Sequence, residues 1–87
     1  MNQDILFADI QLWDSQKQAI NFPAQQAGAL ITCWVSLSWL QKTIEQPLNE
    51  ESDILATFAA NRFDLEELAE VMIEEEEFNS DGDIEIG

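Results

Sequence analysis

Residues 29–35 (ALITCWV) constrain this chain most, because the run is apolar on both faces of an extended strand. Leu30, Thr32 and Trp34 point one way, and Ile31, Cys33 and Val35 the other. The run is rich in β-branched and aromatic residues, which fit a pleated surface. Such a strand belongs at the centre of a sheet covered on both sides, by helices or by a second subunit.

The residues before it also read as strands. Residues 4–8 (DILFA) are short and apolar, and residues 10–13 alternate apolar with polar. Asp14 heads a polar turn. Residues 19–22 alternate again, with Ile20 and Phe22 on one side, and Pro23 marks a strand end or an edge because it cannot donate to a ladder. Residues 25–28 form the next turn, with Gly28 able to take positive φ.

Helical signals follow. Ser36 and Ser38 both suit an N-cap, with Gln41 at capping-box spacing from Ser38. Leu37, Leu40 and Ile44 make an apolar stripe, and Pro47 ends that helix. Asn49 then caps a longer helix from about residue 50 to 77, with Glu50 and Glu51 in its first turn. Its apolar face holds Ile54, Phe58, Leu65, Leu68, Ala69 and Met72, flanked by Leu55 and Ile73. Asn61 interrupts that face, so it is either a satisfied buried amide or a kink. Asp64 with Glu67 offers a second cap there. After a turn at residues 79–82, Ile84 and Ile86 form a final strand. The expectation is one domain spanning residues 1–87. Its class is α+β, with two layers: a small antiparallel sheet of three to four strands and two helices, in the order β-β-β-α-α-β.

Charge narrows the functions available. The net charge is −15, from 18 acidic and 3 basic residues, and it is unevenly spread. Residues 1–44 carry Asp4, Asp9 and Asp14 against Lys17 and Lys42. The other 15 carboxylates lie in residues 45–87 with Arg62 as their sole cation. No cationic patch can be assembled, so direct nucleic-acid binding is not expected. An anionic membrane surface is disfavoured for the same reason. No stretch is long and apolar enough for a membrane span, and residues 1–4 (MNQD) lack the features of a secretory signal. One cysteine excludes an internal disulfide and fits the cytoplasm.

No arrangement carries recognisable chemistry. The chain has no histidine, the commonest base and metal ligand. Cys33 has no cationic neighbour in sequence to form a thiolate. Asp81, Asp83 and Glu85 alternate, but Gly82 falls in the wrong place for a calcium loop, so no metal or cofactor is expected. Nor is enzyme activity. Glu74, Glu75, Glu76 and Glu77 oppose both one another and the helix dipole, which makes them either a solvated end or a candidate docking site for a basic partner. Phe58 and Arg62 are candidate structural residues, the arginine packing its stem and pairing its head with carboxylates.

The segments Trp13-Asp14, Ala19-Ile20-Asn21-Phe22, Ile31-Thr32-Cys33 and above all Phe58-Ala59-Ala60-Asn61-Arg62-Phe63-Asp64-Leu65-Glu66 resemble a family of small bacterial proteins, domain of unknown function 1488. The likeness covers nearly the whole chain and implies a compact α+β fold, with no activity attached. The expected function is a cytoplasmic, non-enzymatic interaction or regulatory module whose acidic half meets a basic protein, one version being a DNA mimic. The alternative is a small-molecule binder with an apolar pocket beside Trp34 or Trp39. A homodimer through an open sheet face is a further expectation.

Overall fold

The sheet is organised around one hairpin. In a computed structural model that describes residues 5–87, β3 (Ala19–Gln26) pairs antiparallel with β4 (Ala29–Ser36) along eight residue pairs. Ala27 and Gly28 connect them with φ of 52° and 84°, the positive pair that a two-residue type I′ turn requires. Around this hairpin stand β1 (Ile5–Phe7), β2 (Leu12–Asp14) and β5 (Ile84–Ile86), with α1 (Leu37–Ile44), α2 (Glu51–Ala60) and α3 (Arg62–Glu74) between β4 and β5. The fold is α+β, with helices on one face of a five-stranded sheet. Asp4, expected in the first strand, lies outside the described residues.

Pro23 does not end its strand; β3 runs through it to Gln26. The reason lies in the neighbouring strand. Both β1 and β2 pair with the same side of β3, β1 against residues 24–26 and β2 against residues 19–21. The Pro23 carbonyl faces that side, where it accepts from the Ala8 amide at 3.4 Å. The missing N–H of Pro23 therefore falls opposite the gap between β1 and β2, where no ladder bond is lost.

The sheet is mixed rather than wholly antiparallel, because β5 lies parallel to β4, with Cys33 beside Ile84 and Val35 beside Ile86. Three consecutive helices return the chain to the end of the sheet where β4 began, the crossover a parallel pair needs. Ser36 is the N-cap of α1, its Oγ accepting from the Trp39 amide at 3.0 Å. Glu50, not Asn49, stands at the N-cap of α2 and makes no side-chain cap.

The long helix divides at Asn61 (φ −110°, ψ 15°), three residues before the cap that Asp64 would have made. The Asn61 side chain donates Nδ2 back to the Thr57 carbonyl at 2.9 Å, so the amide is satisfied and the backbone kinked together. Beyond the break the buried positions of α3 follow one another at a spacing of four. Leu65, Ala69 and Ile73 are buried, Met72 packs only partly, and Leu68 turns outward. Phe22 and Phe58 meet at the core centre with ring centroids 5.2 Å apart.

Candidate functional site

Two adjacent rows run along the outside of α3. Phe63, Glu67, Glu70 and Glu74 form one, at helical spacings of four, three and four. Asp64, Leu68, Val71 and Glu75 form the next. Leu68 is 41% exposed and Val71 49% exposed, inside a shallow depression of ≈690 Å³ lined also by Asp64, Glu67, Glu70 and Glu74. Across the Glu67–Glu70 ridge lies a second depression, ≈360 Å³, formed by Ile5, Phe7, Phe63, Glu66 and those same two glutamates. Phe63 is 85% exposed. The face thus alternates bare apolar side chains with carboxylates, a surface suited to side chains that are both cationic and apolar-stemmed. Periodicity places Leu68 on the apolar face; α3 instead buries the row Leu65, Ala69 and Ile73 and leaves Leu68 outside it. Phe63 and Val71 were legible only as residues that fall off the buried stripe.

The four-glutamate run does not share one helical turn. Glu74 closes α3, Glu75 is its C-cap, and Glu76 takes a left-handed φ of 57°. The Glu77 amide donates to the Met72 carbonyl at 2.9 Å and the Glu76 amide to that of Ile73 at 3.0 Å, the paired bonds of a Schellman cap. All four side chains are exposed. A hydrogen bond with the Glu75 carboxylate, then desolvation and the Glu75 charge, raise the Glu77 carboxyl above its ordinary value. The run continues the acidic face of α3 beyond the helix end.

Arg62 stands at the other end of α3 and is one-fifth exposed. Its Nε donates to Glu66 Oε2 at 2.8 Å, its Nη1 to Gln11 Oε1 at 2.7 Å, and its Nη2 to the Ala8 carbonyl. The guanidinium carbon lies 5.4 Å from the centroid of the Phe58 ring. Phe58 is fully buried beneath it. Together they fasten α3 to the β1–β2 connection and fix where the acidic face points.

The remaining candidates sit apart from this face. Cys33 is buried in β4, and burial followed by the Asp83 carboxylate pushes its thiol up to about 12, a neutral group at ordinary pH. Among the described residues, no three His, Cys, Asp or Glu side chains are grouped to hold a metal ion. Trp13 and Trp39 pack against the core. Trp34 lies on the open sheet face, its Nε1 donating to Asp83 Oδ2 at 3.1 Å and Lys17 Nζ sitting 4.7 Å from its ring centroid. The depression beside it measures ≈240 Å³ and is lined by Lys17, Glu85 and Ser36 as well as Ala19 and Ile86. That is below the ~300–1,000 Å³ usual for a small-molecule site, and Trp34, Ala19 and Ile86 share its lining with Lys17, Ser36 and Glu85.

Residues 5–86 match the family described as protein of unknown function DUF1488. The chain belongs to DUF1488. Similar proteins include the uncharacterized protein YrdB of Escherichia coli K12, 38% identical over 82 residues that cover 94% of each chain. YrdB of Shigella flexneri is 37% identical over the same length. A DUF1488 protein of Shewanella loihica PV-4, of unknown function and known from a crystal structure at 1.60 Å, shares 40% identity. It has a TM-score of 0.94, covering 99% of this chain and 94% of that one. The DUF1488 fold is therefore common to these bacterial chains. Among the described residues, no helix is long and apolar enough to cross a membrane.

Proposed function

We propose that this DUF1488 chain is a non-enzymatic interaction module of the cytoplasm that docks a basic protein surface on the outer face of α3. The observation that carries this reading is the exposure of Leu68 and Val71 inside a ring of Asp64, Glu67, Glu70 and Glu74. A charge run alone is adequately explained by solubility. Bare apolar side chains within that run are not, because solvation favours burying them. The carboxylates steer a cationic partner and set the register; Leu68, Val71 and Phe63 supply the contact area that desolvates on docking. The net charge of −15 keeps the module off phosphate backbones, so its partner is a protein.

Affinity capture from bacterial lysate, at low and high salt, tests the reading with two baits. The expected captures are basic proteins, released by salt and absent from a Glu67→Lys, Glu70→Lys bait. Captures that ignore both salt and the charge reversal would exclude the α3 face.

A further inference from the structure

The face of the sheet opposite the helices is exposed and largely apolar, with its charges gathered at one end. It presents Leu6 on β1, Leu12 on β2, Pro23 on β3, and Leu30 and Trp34 on β4, with Leu30 78% exposed. Among the described residues its charges are Asp14, Lys17, Asp83 and Glu85, all at the Trp34 end. The end of the face that holds Leu6 and Leu30 carries no charge among the described residues, so a second copy can lay its charged end there without strong repulsion. We propose that a second copy of this chain covers this face, forming a two-fold, sheet-on-sheet homodimer.

The register makes the face self-complementary. Leu6, Gln25 and Leu30 lie abreast at one end of the sheet, and Leu12, Asn21 and Trp34 abreast at the other, with Pro23 and Thr32 between. Both β1 and β2 flank the same side of β3. A two-fold axis running across the strands above Pro23 and Thr32 therefore sets Leu6 against Leu12 of the second copy, and Leu30 against its Trp34. The same operation carries the charged ends of the two copies to opposite ends of the pair. An isologous contact demands this kind of match. Three strand widths by eight residues, with the three residues of β5, at ~4.8 Å and ~3.3 Å each, give ~430 Å² per copy. The pair then covers ~900 Å², the size of a weak, transient interface. Association is thus weak and concentration-dependent, and salt strengthens it by screening the two acidic bodies. That sign is opposite to the salt response of the α3 face, so the two surfaces fail independently.

Sedimentation velocity of the full chain over a concentration series tests the dimer. The mass should rise from 9.9 kDa towards twice that value, at lower concentration when salt is added. Leu30→Glu should weaken association at least tenfold, while Glu70→Gln leaves it unchanged or stronger. For the case in which Leu30→Glu perturbs folding, Leu6→Cys and Leu12→Cys variants are treated with a bismaleimide matched to the ~10 Å spacing of stacked sheets. Cross-linking is expected when the two are mixed and not when either is alone. A chain monomeric to millimolar concentration, at low and high salt, overturns the proposal and leaves the face to a different protein. A dimer indifferent to Leu30→Glu, or equal cross-linking in mixed and single samples, overturns it too.

Discussion

Arg62 Nη1 donates to Gln11 Oε1 at 2.7 Å, tying the first turn of α3 to the connection between β1 and β2. The same guanidinium holds Glu66 and the Ala8 carbonyl and covers the Phe58 ring. One side chain thus closes the seam between the helical layer and the edge of the sheet.

Arg62→Ala should therefore cost about 2–4 kcal/mol, from charge-assisted bonds left unpaired together with the lost cover over Phe58. Arg62→Lys should recover less than half of that, since an ammonium cannot reach Glu66, Gln11 and Ala8 in one plane. Urea denaturation of the two variants measures both numbers. An Arg62→Ala protein as stable as the parent would mean that the seam is held elsewhere.

Two helices end on glutamates in the left-handed region, Glu45 after α1 and Glu76 after α3, each at φ 57°. Glycine takes that conformation without a Cβ penalty, and removing the carboxylate also relieves its repulsion by the helix C-terminus. Glu45→Gly and Glu76→Gly should each add about 0.5–1 kcal/mol, raising the melting temperature by roughly 3–8 °C. Thermal scans decide it, and an unchanged or lowered melting temperature in both would contradict the cap geometry.

Burial raises the Cys33 thiol to about 12 in the folded chain, above its value in the unfolded one. The folded state then holds a proton that the unfolded state releases. The stability this contributes is complete below the unfolded pKa and is lost as pH rises from about 9 towards 12. The chain has no tyrosine to titrate in the same window. Stability should fall over that window, and Cys33→Ala should flatten the fall. Native Cys33 should react with a thiol reagent only at the rate of unfolding; rapid labelling at neutral pH would place the thiol at the surface.

Local sequence carried much of this architecture. A run apolar on both faces marks β4, alternation marks β5, serine capping marks the start of α1, and the turn signal at Gly28 marks the central hairpin. What local sequence could not carry were relationships set by a distant partner. Pro23 reads as a strand end until β1 and β2 are seen to leave a gap opposite it. The parallel placement of β5 depends on where three helices return the chain. The site shows the same division. Glu74 to Glu77 are conspicuous as a run, yet the exposure of Leu68 and Val71 emerges only once α3 is seen to bury the row Leu65, Ala69 and Ile73 against the sheet.

The composite character of the α3 face is the central claim, and site-resolved NMR tests it most directly. An isotope-labelled chain is titrated with a short peptide alternating lysine and leucine, and separately with an all-lysine peptide of equal charge. The mixed peptide should bind more tightly, shifting the signals of Phe63, Glu67, Leu68, Val71 and Glu74, and Phe63→Ala with Leu68→Ala should erase the difference between the two peptides. Equal affinity for both peptides, with shifts spread evenly over every acidic segment, would contradict a built docking face and leave only diffuse charge.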